Sequence, residues 1–481
     1  MGVSQQTAVE PTRAEQAKSL CASPATFFNH SHTEMHSLPR DAVDALQLEA
    51  LKHRFDTLRD RIPVLKRLAD EQGVEAIEAV DDIVPLLFEH TMYKSYPRSL
   101  LENGRFGEIN KFLSRLCAFD LTQYDVSKCK SIDAWLELMD DVSPLLIMHS
   151  SGTTGTMTFL PVSKAEQDKH GEQLRITTVQ EFGDDPALVY DEDFYVIYPF
   201  FRRGGSGAIR TANVLAKFVA GADERFITAY PGRMSSDLLY LGARIRAARA
   251  AGTLNQLKVG PDLLARKAEY EKLQVDMPAQ LMSFFENVAE DLKGKRVFFW
   301  GAQNLLYNVT MLARENGASM VFHPNSVFGT GGDSKEGVQM PSDWQEQVCE
   351  FAGIKRVKKS YGMTEVRALH HLCTHGHYHI APWVIPYVLD PDTSKVLPRK
   401  GRVTGRAAFF DLGAETRWGG IISGDEITIE WDAPCPCGQA TVWAEDNIQR
   451  FSLKRGGDDK INCAATEAAH RDAMDFLTSI L

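Results

Sequence analysis

The sequence predicts an α/β fold built on a parallel sheet with crossover helices, and three observations carry the prediction. Short runs rich in β-branched and aromatic residues alternate with helical stretches from Asp193 onward. Two of these runs, Arg296–Gly301 and Val327–Gly331, end in glycine. A further apolar run, Leu145–His149, stops abruptly in Ser150-Ser151-Gly152-Thr153-Thr154-Gly155-Thr156. Ligands of a parallel sheet gather at the carboxyl ends of its strands, so the hydroxyl loop marks a candidate site.

Taken in order, residues 1–38 are polar and show no sustained period, and read as a loose arm. Asp41 to Ala69 spaces its apolar residues three and four apart, as in an amphipathic helix, and Pro63 breaks it. Helices are expected around Phe106–Phe119 and Ile132–Met139, then again over Lys164–Phe182. Asp193 to Phe201 reads as a strand and leads into the basic glycine turn Arg202-Arg203-Gly204-Gly205-Ser206-Gly207. That turn either touches phosphate or is a solvated loop. Beyond it come the strand Arg296–Gly301, a helix over Asn304–Asn316 and a strand over Ser319–His323.

The chain of 481 residues is long enough for large cores and reads as two domains with a short third piece. Its formal charge of −11 argues against nucleic acid or an anionic membrane as the main partner. The N-terminus lacks a signal-peptide core and no run of apolar residues is long enough to span a membrane, so a cytoplasmic location is expected. Met1-Gly2 opens like a myristoylation signal, but Gln6 stands where Ser or Thr is needed. Cysteines 21, 117, 129, 349, 373, 435, 437 and 463 are spread too widely for a disulfide framework and read as reduced thiols.

The hydroxyl loop suits an anion. Gly152 and Gly155 let the backbone approach a ligand closely, and free amides with the hydroxyls of Ser150, Ser151, Thr153 and Thr154 point at it. It is not a Walker loop, because no Gly-Lys-Ser/Thr follows and the next lysine is Lys164. The loop resembles the signature loop of the adenylate-forming (ANL) superfamily, the acyl- and aryl-CoA synthetases and their relatives. Val74 to Pro97 resembles the helical lead-in of the phenylacetate-CoA ligase branch.

Later motifs follow the order of that superfamily. The turn Gly331-Gly332-Asp333 precedes Tyr361-Gly362-Met363-Thr364-Glu365, and Asp425 follows in Ser423-Gly424-Asp425. The resemblance implies that Gly331, Gly332 and Asp333 wall the adenine pocket and that Tyr361, beside Gly362, stacks on the base. It implies further that Thr364 contacts the α-phosphate, Glu365 holds Mg²⁺, Asp425 takes both ribose hydroxyls and Arg450 adds a ribose contact. The chemistry agrees: an aromatic face suits a purine, a carboxylate suits Mg²⁺, and one carboxylate accepts two hydrogen bonds from a diol.

A second constellation is independent of nucleotide. His370-His371-Leu372-Cys373-Thr374-His375-Gly376-His377-Tyr378-His379 and the turn Cys435-Pro436-Cys437-Gly438 offer thiolates and imidazoles suited to tetrahedral Zn²⁺. The pattern resembles a structural zinc site carried by some phenylacetate-CoA ligases, which implies Cys373, His379, Cys435 and Cys437 as ligands, with His375 or His377 in place of His379 as alternatives. The other reading is a free-thiol loop with surface histidines.

Two departures from the superfamily stand out. Met157 occupies the region where many synthetases have a loop lysine, and the chain ends soon after Lys460, where CoA ligases continue into a small mobile domain. The small C-terminal domain is therefore expected to be missing or vestigial, as in the acyl-protein synthetases of bacterial luciferase systems. The resulting expectation is an adenylating domain over 39–450, with a small β-rich subdomain, and a hinge with a vestigial segment over 451–481, Asp458 marking the hinge. The activity implied is ATP- and Mg²⁺-dependent conversion of a carboxylic acid to its acyl-adenylate, followed by acyl transfer to a thiol of a carrier protein, a protein cysteine or CoA. Cys463 is a natural acceptor, unless it is a buried helix-start cysteine. Alternatives are an acyl- or aryl-CoA ligase whose small domain is supplied separately, and an inactive nucleotide-binding scaffold. A homodimer is a possible assembly.

Overall fold

A computed structural model describes residues 11–150, 156–178, 194–331 and 340–451. Strand β1 is Phe88–Glu89; β2 (Leu145–His149) and β3 (Phe159–Ser163) form an antiparallel pair. Strands β4 (Phe194–Arg203), β5 (Phe226–Arg233), β6 (Arg296–Gly301), β7 (Val327–Gly331), β8 (Val357–Tyr361) and β9 (His370–His371) form a six-stranded sheet in the order β5-β4-β6-β7-β8-β9. All its pairings are parallel except β8 with β9. Strands β10 (His377–His379), β11 (Val384–Leu389), β12 (Arg402–Asp411), β13 (Gly420–Glu430), β14 (Trp443–Glu445) and β15 (Gln449–Arg450) join β1 in a second, seven-stranded sheet. That sheet is antiparallel apart from the β1–β13 pairing. The fold is thus mixed α/β, with a parallel sheet and a β-rich part beside it.

The parallel sheet behaves as its sequence requires. Runs such as Val196-Ile197 and Val297-Phe298-Phe299 are buried on both faces because helices cover both sides. The second sheet buries Ile385, Tyr387, Phe409, Phe410, Ile427 and Ile429 against the N-terminal helices.

Two expectations are corrected, and a third, the helix broken near Pro63, is sharpened. The loose arm is folded from residue 11 onward: helices Arg13–Ala22, Pro24–Phe27 and His32–Met35 bury Leu20, Cys21, Ala25, Phe28 and Met35. Each starts at a hydroxyl cap, Thr12, Ser23 or Ser31, and short capped helices carry too few turns to show a period. Pro63 does not merely break a helix; it opens a second one, Pro63–Gln72, after Arg40–Leu58. Ser319–His323 is not a strand: Phe322 N–H bonds Ala352 O and His323 N–H bonds Lys295 O, so the segment runs between elements and β7 takes the place in the sheet.

Two helices meet at their N-termini through a buried carboxylate pair. Asp237 accepts from the N–H groups of Ile132 (2.8 Å) and Asp133 (3.0 Å). Asp133 in turn accepts from Ser236 N–H (2.8 Å) and Ser235 O–H (2.7 Å). Each carboxylate caps the helix that carries the other. Burial, and then the neighbouring Asp133, push Asp237 up to about 7. An acid whose folded pKa is raised binds more protons folded than unfolded, so it favours the native state at low pH and this stability is lost as pH rises through about 7. We predict a stability loss of up to about 1.4 kcal/mol per pH unit from this group between the two pKa values. Urea unfolding at pH 5.5 and 8 measures it; a slope unchanged in Asp237→Asn contradicts the assignment.

Candidate active site

The site begins where β8 leaves the parallel sheet. Tyr361 is its last residue, and its phenol donates to Asp425 Oδ2 at 2.9 Å. Asp425 lies on β13, directly opposite Arg450 on β15, whose Nε reaches Asp425 Oδ1 at 2.9 Å. Tyr361, Asp425 and Arg450 are far apart in sequence yet form one cluster, with the carboxylate 5 % exposed. Burial, reinforced by Asp425, holds the Tyr361 phenol well above its ordinary range, so it stays a donor at neutral pH.

Beyond Tyr361 the chain turns sharply. A Cβ on Gly362 would meet Leu369 Cδ2 at 2.7 Å and Ala368 O at 2.8 Å, so the turn closes only over glycine. It delivers Thr364 onto Gly207, where a Cβ would lie 2.9 Å from Thr364 Cγ2 and 3.0 Å from Oγ1. Gly207 is the first residue of helix Gly207–Leu215, capped by Ser206. Thr364 therefore sits at a helix N-terminus in the basic glycine turn, and that turn is not a solvated loop: Gly204 to Gly207 are buried. Arg202 and Arg203 belong to β4, and Arg202 bonds Asp223 at 2.6 Å.

The strand leading into the hydroxyl loop reaches the same turn by a different route from that expected. The loop links the antiparallel pair β2–β3, not a strand of the parallel sheet. His149 N–H bonds Gly205 O (3.1 Å), and its imidazole spans from Ser150 O to Ser236 Oγ, 3.0 Å each. Ser150 Oγ accepts from Thr158 N–H at 3.2 Å and closes the base of the loop. Thr156, at its far end, accepts from Arg98 Nε at 2.8 Å. Gly331 is exposed at the end of β7, and among the described residues none comes within 4 Å of a Cβ placed on it. Ser151, Gly152, Thr153, Thr154, Gly155, Gly332, Asp333, Asp458 and Cys463 lie outside the described residues.

Glu365 is held from behind. Its carbonyl accepts from Arg417 Nη2 at 2.8 Å, and Arg417 also pairs with Glu166 and, at 3.2 Å, with Asp411. Arg367 joins through Gln167 and through its N–H to Asp411 Oδ2 at 3.3 Å. All four charged side chains are buried, two of each sign. Sequence reading missed this network because its members carry no motif and meet only in the fold.

The thiol and imidazole residues also converge. One donor atom from each of Cys373, His379, Cys435 and Cys437 lies within 4.8 Å of every other. A tetrahedral Zn²⁺ with Zn–S bonds of about 2.3 Å separates its sulfurs by roughly 3.8 Å. Cys373 Sγ and Cys435 Sγ are 3.8 Å apart, and Cys437 Sγ is 3.2 Å from His379 Nε2. Burial, with the neighbouring thiols, pushes Cys435 up to about 12, an environment that a bound divalent cation would invert. His377 stacks on Trp443 at 3.7 Å with Nδ1 3.1 Å from Cys435 Sγ, a hydrogen-bonding position, and His375 reaches Cys373 Sγ only through its backbone N–H.

No family model matches the chain, and no curated protein matches it. Among solved structures, it is similar to 2-hydroxyisobutyryl-CoA ligase in complex with 2-HIB-AMP and CoA in the thioesterification state, at 14% identity and a TM-score of 0.48, over 88% of this chain and 71% of that one. The open conformation of that ligase gives 13%, 0.47, 87% and 71%. ATP-bound MatB from Rhodopseudomonas palustris gives 15%, 0.33, 62% and 47%.

Proposed function

We propose that the chain is an ATP- and Mg²⁺-dependent enzyme that activates a carboxylic acid as its acyl-adenylate, releases pyrophosphate and passes the acyl group to a thiol. The observation that carries this reading is the convergence of Tyr361, Asp425 and Arg450, beside Thr364 at the N-terminus of helix Gly207–Leu215. A tyrosine for the base, a carboxylate for the ribose diol and a helix N-terminus with a hydroxyl for phosphate are the parts a nucleotide needs. Glu365, next to Thr364, would supply a hard oxygen to Mg²⁺. Thr153 and Thr154 of the hydroxyl loop would complete the phosphate contacts, with Gly331, Gly332 and Asp333 walling the base. The carboxylate attacks the α-phosphorus in line, and the protein contributes positioning and charge neutralisation. The acceptor is a thiol of a carrier protein, a protein cysteine or CoA. Hydroxylamine trapping tests this: incubation with ATP, Mg²⁺ and a broad acid panel yields a hydroxamate that depends on one class of acid. No hydroxamate from any acid, with ATP bound, overturns it.

The cysteine cluster is, on the same reading, a closed structural Zn²⁺ site of Cys373, His379, Cys435 and Cys437. It pins β9 and β10 to the turn before β14, close behind Tyr361. The expected outcome is about one zinc per chain by elemental analysis, with Cys435→Ser losing both metal and thermal stability. Zinc below a tenth of an equivalent in wild type, with unchanged stability in Cys435→Ser, contradicts it.

A further inference from the structure

The far side of His379 carries a feature that the four-ligand site does not need. His379 Nδ1 lies 3.2 Å from Thr441 Oγ1, and the same hydroxyl lies 2.7 Å from His36 Nδ1. All three residues are buried, at 4 %, 6 % and 6 % exposure. His36 belongs to the N-terminal segment, and its carbonyl also accepts from Ala440 N–H at 2.8 Å. The N-terminal segment is thus fastened twice to the chain that continues from the Cys435–Gly438 turn.

We propose that Thr441 and His36 are positioning residues of the zinc centre, and that zinc in turn latches the segment around His36 onto the core. The inference rests on the zinc reading above. Proton counting sets the direction of the relay. With Nε2 of His379 facing the metal, its Nδ1 must carry the proton and donate to Thr441 Oγ1. A threonine hydroxyl has one proton of its own, which then donates to His36 Nδ1. That leaves His36 protonated on Nε2, and every group in the relay is neutral. Outer partners of this kind fix the tautomer and ring orientation of a ligating histidine, and their loss typically weakens metal binding roughly 10–100-fold.

The latch is local. Helix Arg40–Leu58 begins beside the zinc turn, where Arg40 Nη1 bonds Trp431 O, but its body has anchors of its own, Gln47 Nε2 bonding Pro382 O and Arg54 Nε bonding Leu412 O. Zinc removal therefore loosens the His36 segment before the body of that helix.

The test uses the full chain with zinc dissociation read by a chromogenic chelator. Thr441→Val, which keeps the shape and removes the hydroxyl, should release zinc roughly 10–100-fold faster. Thr441→Ser should restore the wild-type rate, and His36→Phe should share part of the defect. Hydrogen exchange supplies a second readout: the amides of Met35, His36 and Ser37 should exchange faster in zinc-stripped protein and in zinc-loaded Thr441→Val, while the body of helix Arg40–Leu58, from Gln47 to Arg54, is unchanged. A zinc-binding wild type whose Thr441→Val variant releases metal at the same rate overturns the relay alone. A wild type that takes up no zinc overturns the zinc reading and the relay together.

Discussion

Arg417→Met destabilises the protein by about 3–5 kcal/mol, because it removes the only guanidinium among the described residues that bonds both Glu166 and Asp411 and leaves these buried charges to Arg367 and, for Glu166, Lys169. The side chain is 1 % exposed, so water cannot replace the guanidinium. Burial works against charging Arg417, yet the two carboxylates outweigh it and hold its pKa above the ordinary arginine value. Arg417→Lys recovers little, since one ammonium cannot reach Glu166, Asp411 and the Glu365 carbonyl together. Urea unfolding measures the loss, and a change under about 1 kcal/mol contradicts the description of the network. The effect has a functional side as well: at a denaturant-free temperature where the variant remains folded, Glu365 has lost the bond that fixes its backbone, and any reaction requiring metal there slows.

On the proposed reading, Asp425→Ala raises the ATP concentration for half-maximal reaction by at least on the order of a hundredfold, since hydrogen bonds to a charged group contribute about 1.5–3 kcal/mol each and a ribose diol would make two. Tyr361→Phe is milder, because it removes one donor from Asp425 and keeps the ring. In the protein as it stands, Asp425 holds Tyr361 and Arg450 at 2.9 Å each, so it is aimed before any nucleotide arrives. Titration with ATP, followed through pyrophosphate release, checks the prediction; an unchanged half-saturation in Asp425→Ala removes it from the nucleotide site.

Residues whose chemistry is specific were legible in the sequence. Cys373, His379, Cys435 and Cys437 are soft ligands with few other uses at such spacing, and their donor atoms do meet. Tyr361 and Asp425 stood out by motif, and they touch. What was not legible depended on partners distant in sequence. Glu166 reads as an ordinary helix-face charge until Arg417 lies against it, and Thr441 is one threonine among many until His36 and His379 flank it. The N-terminal helices failed for another reason: they are short, and their stability comes from burying Leu20 and Phe28 against the core, not from a local pattern. The hydroxyl loop was read from an apolar run that serves equally well in a parallel sheet or a hairpin, and the hairpin is what forms.

On the proposed function, the cluster around Tyr361 and Asp425 serves acid activation by ATP. Exchange of labelled pyrophosphate into ATP, run with Mg²⁺ and a panel of carboxylic acids, tests it most directly. Wild type is predicted to show exchange that depends on one class of acid, and Glu365→Ala to lose it. ATP binding with no exchange for any acid, and no further change in Glu365→Ala, contradicts the account.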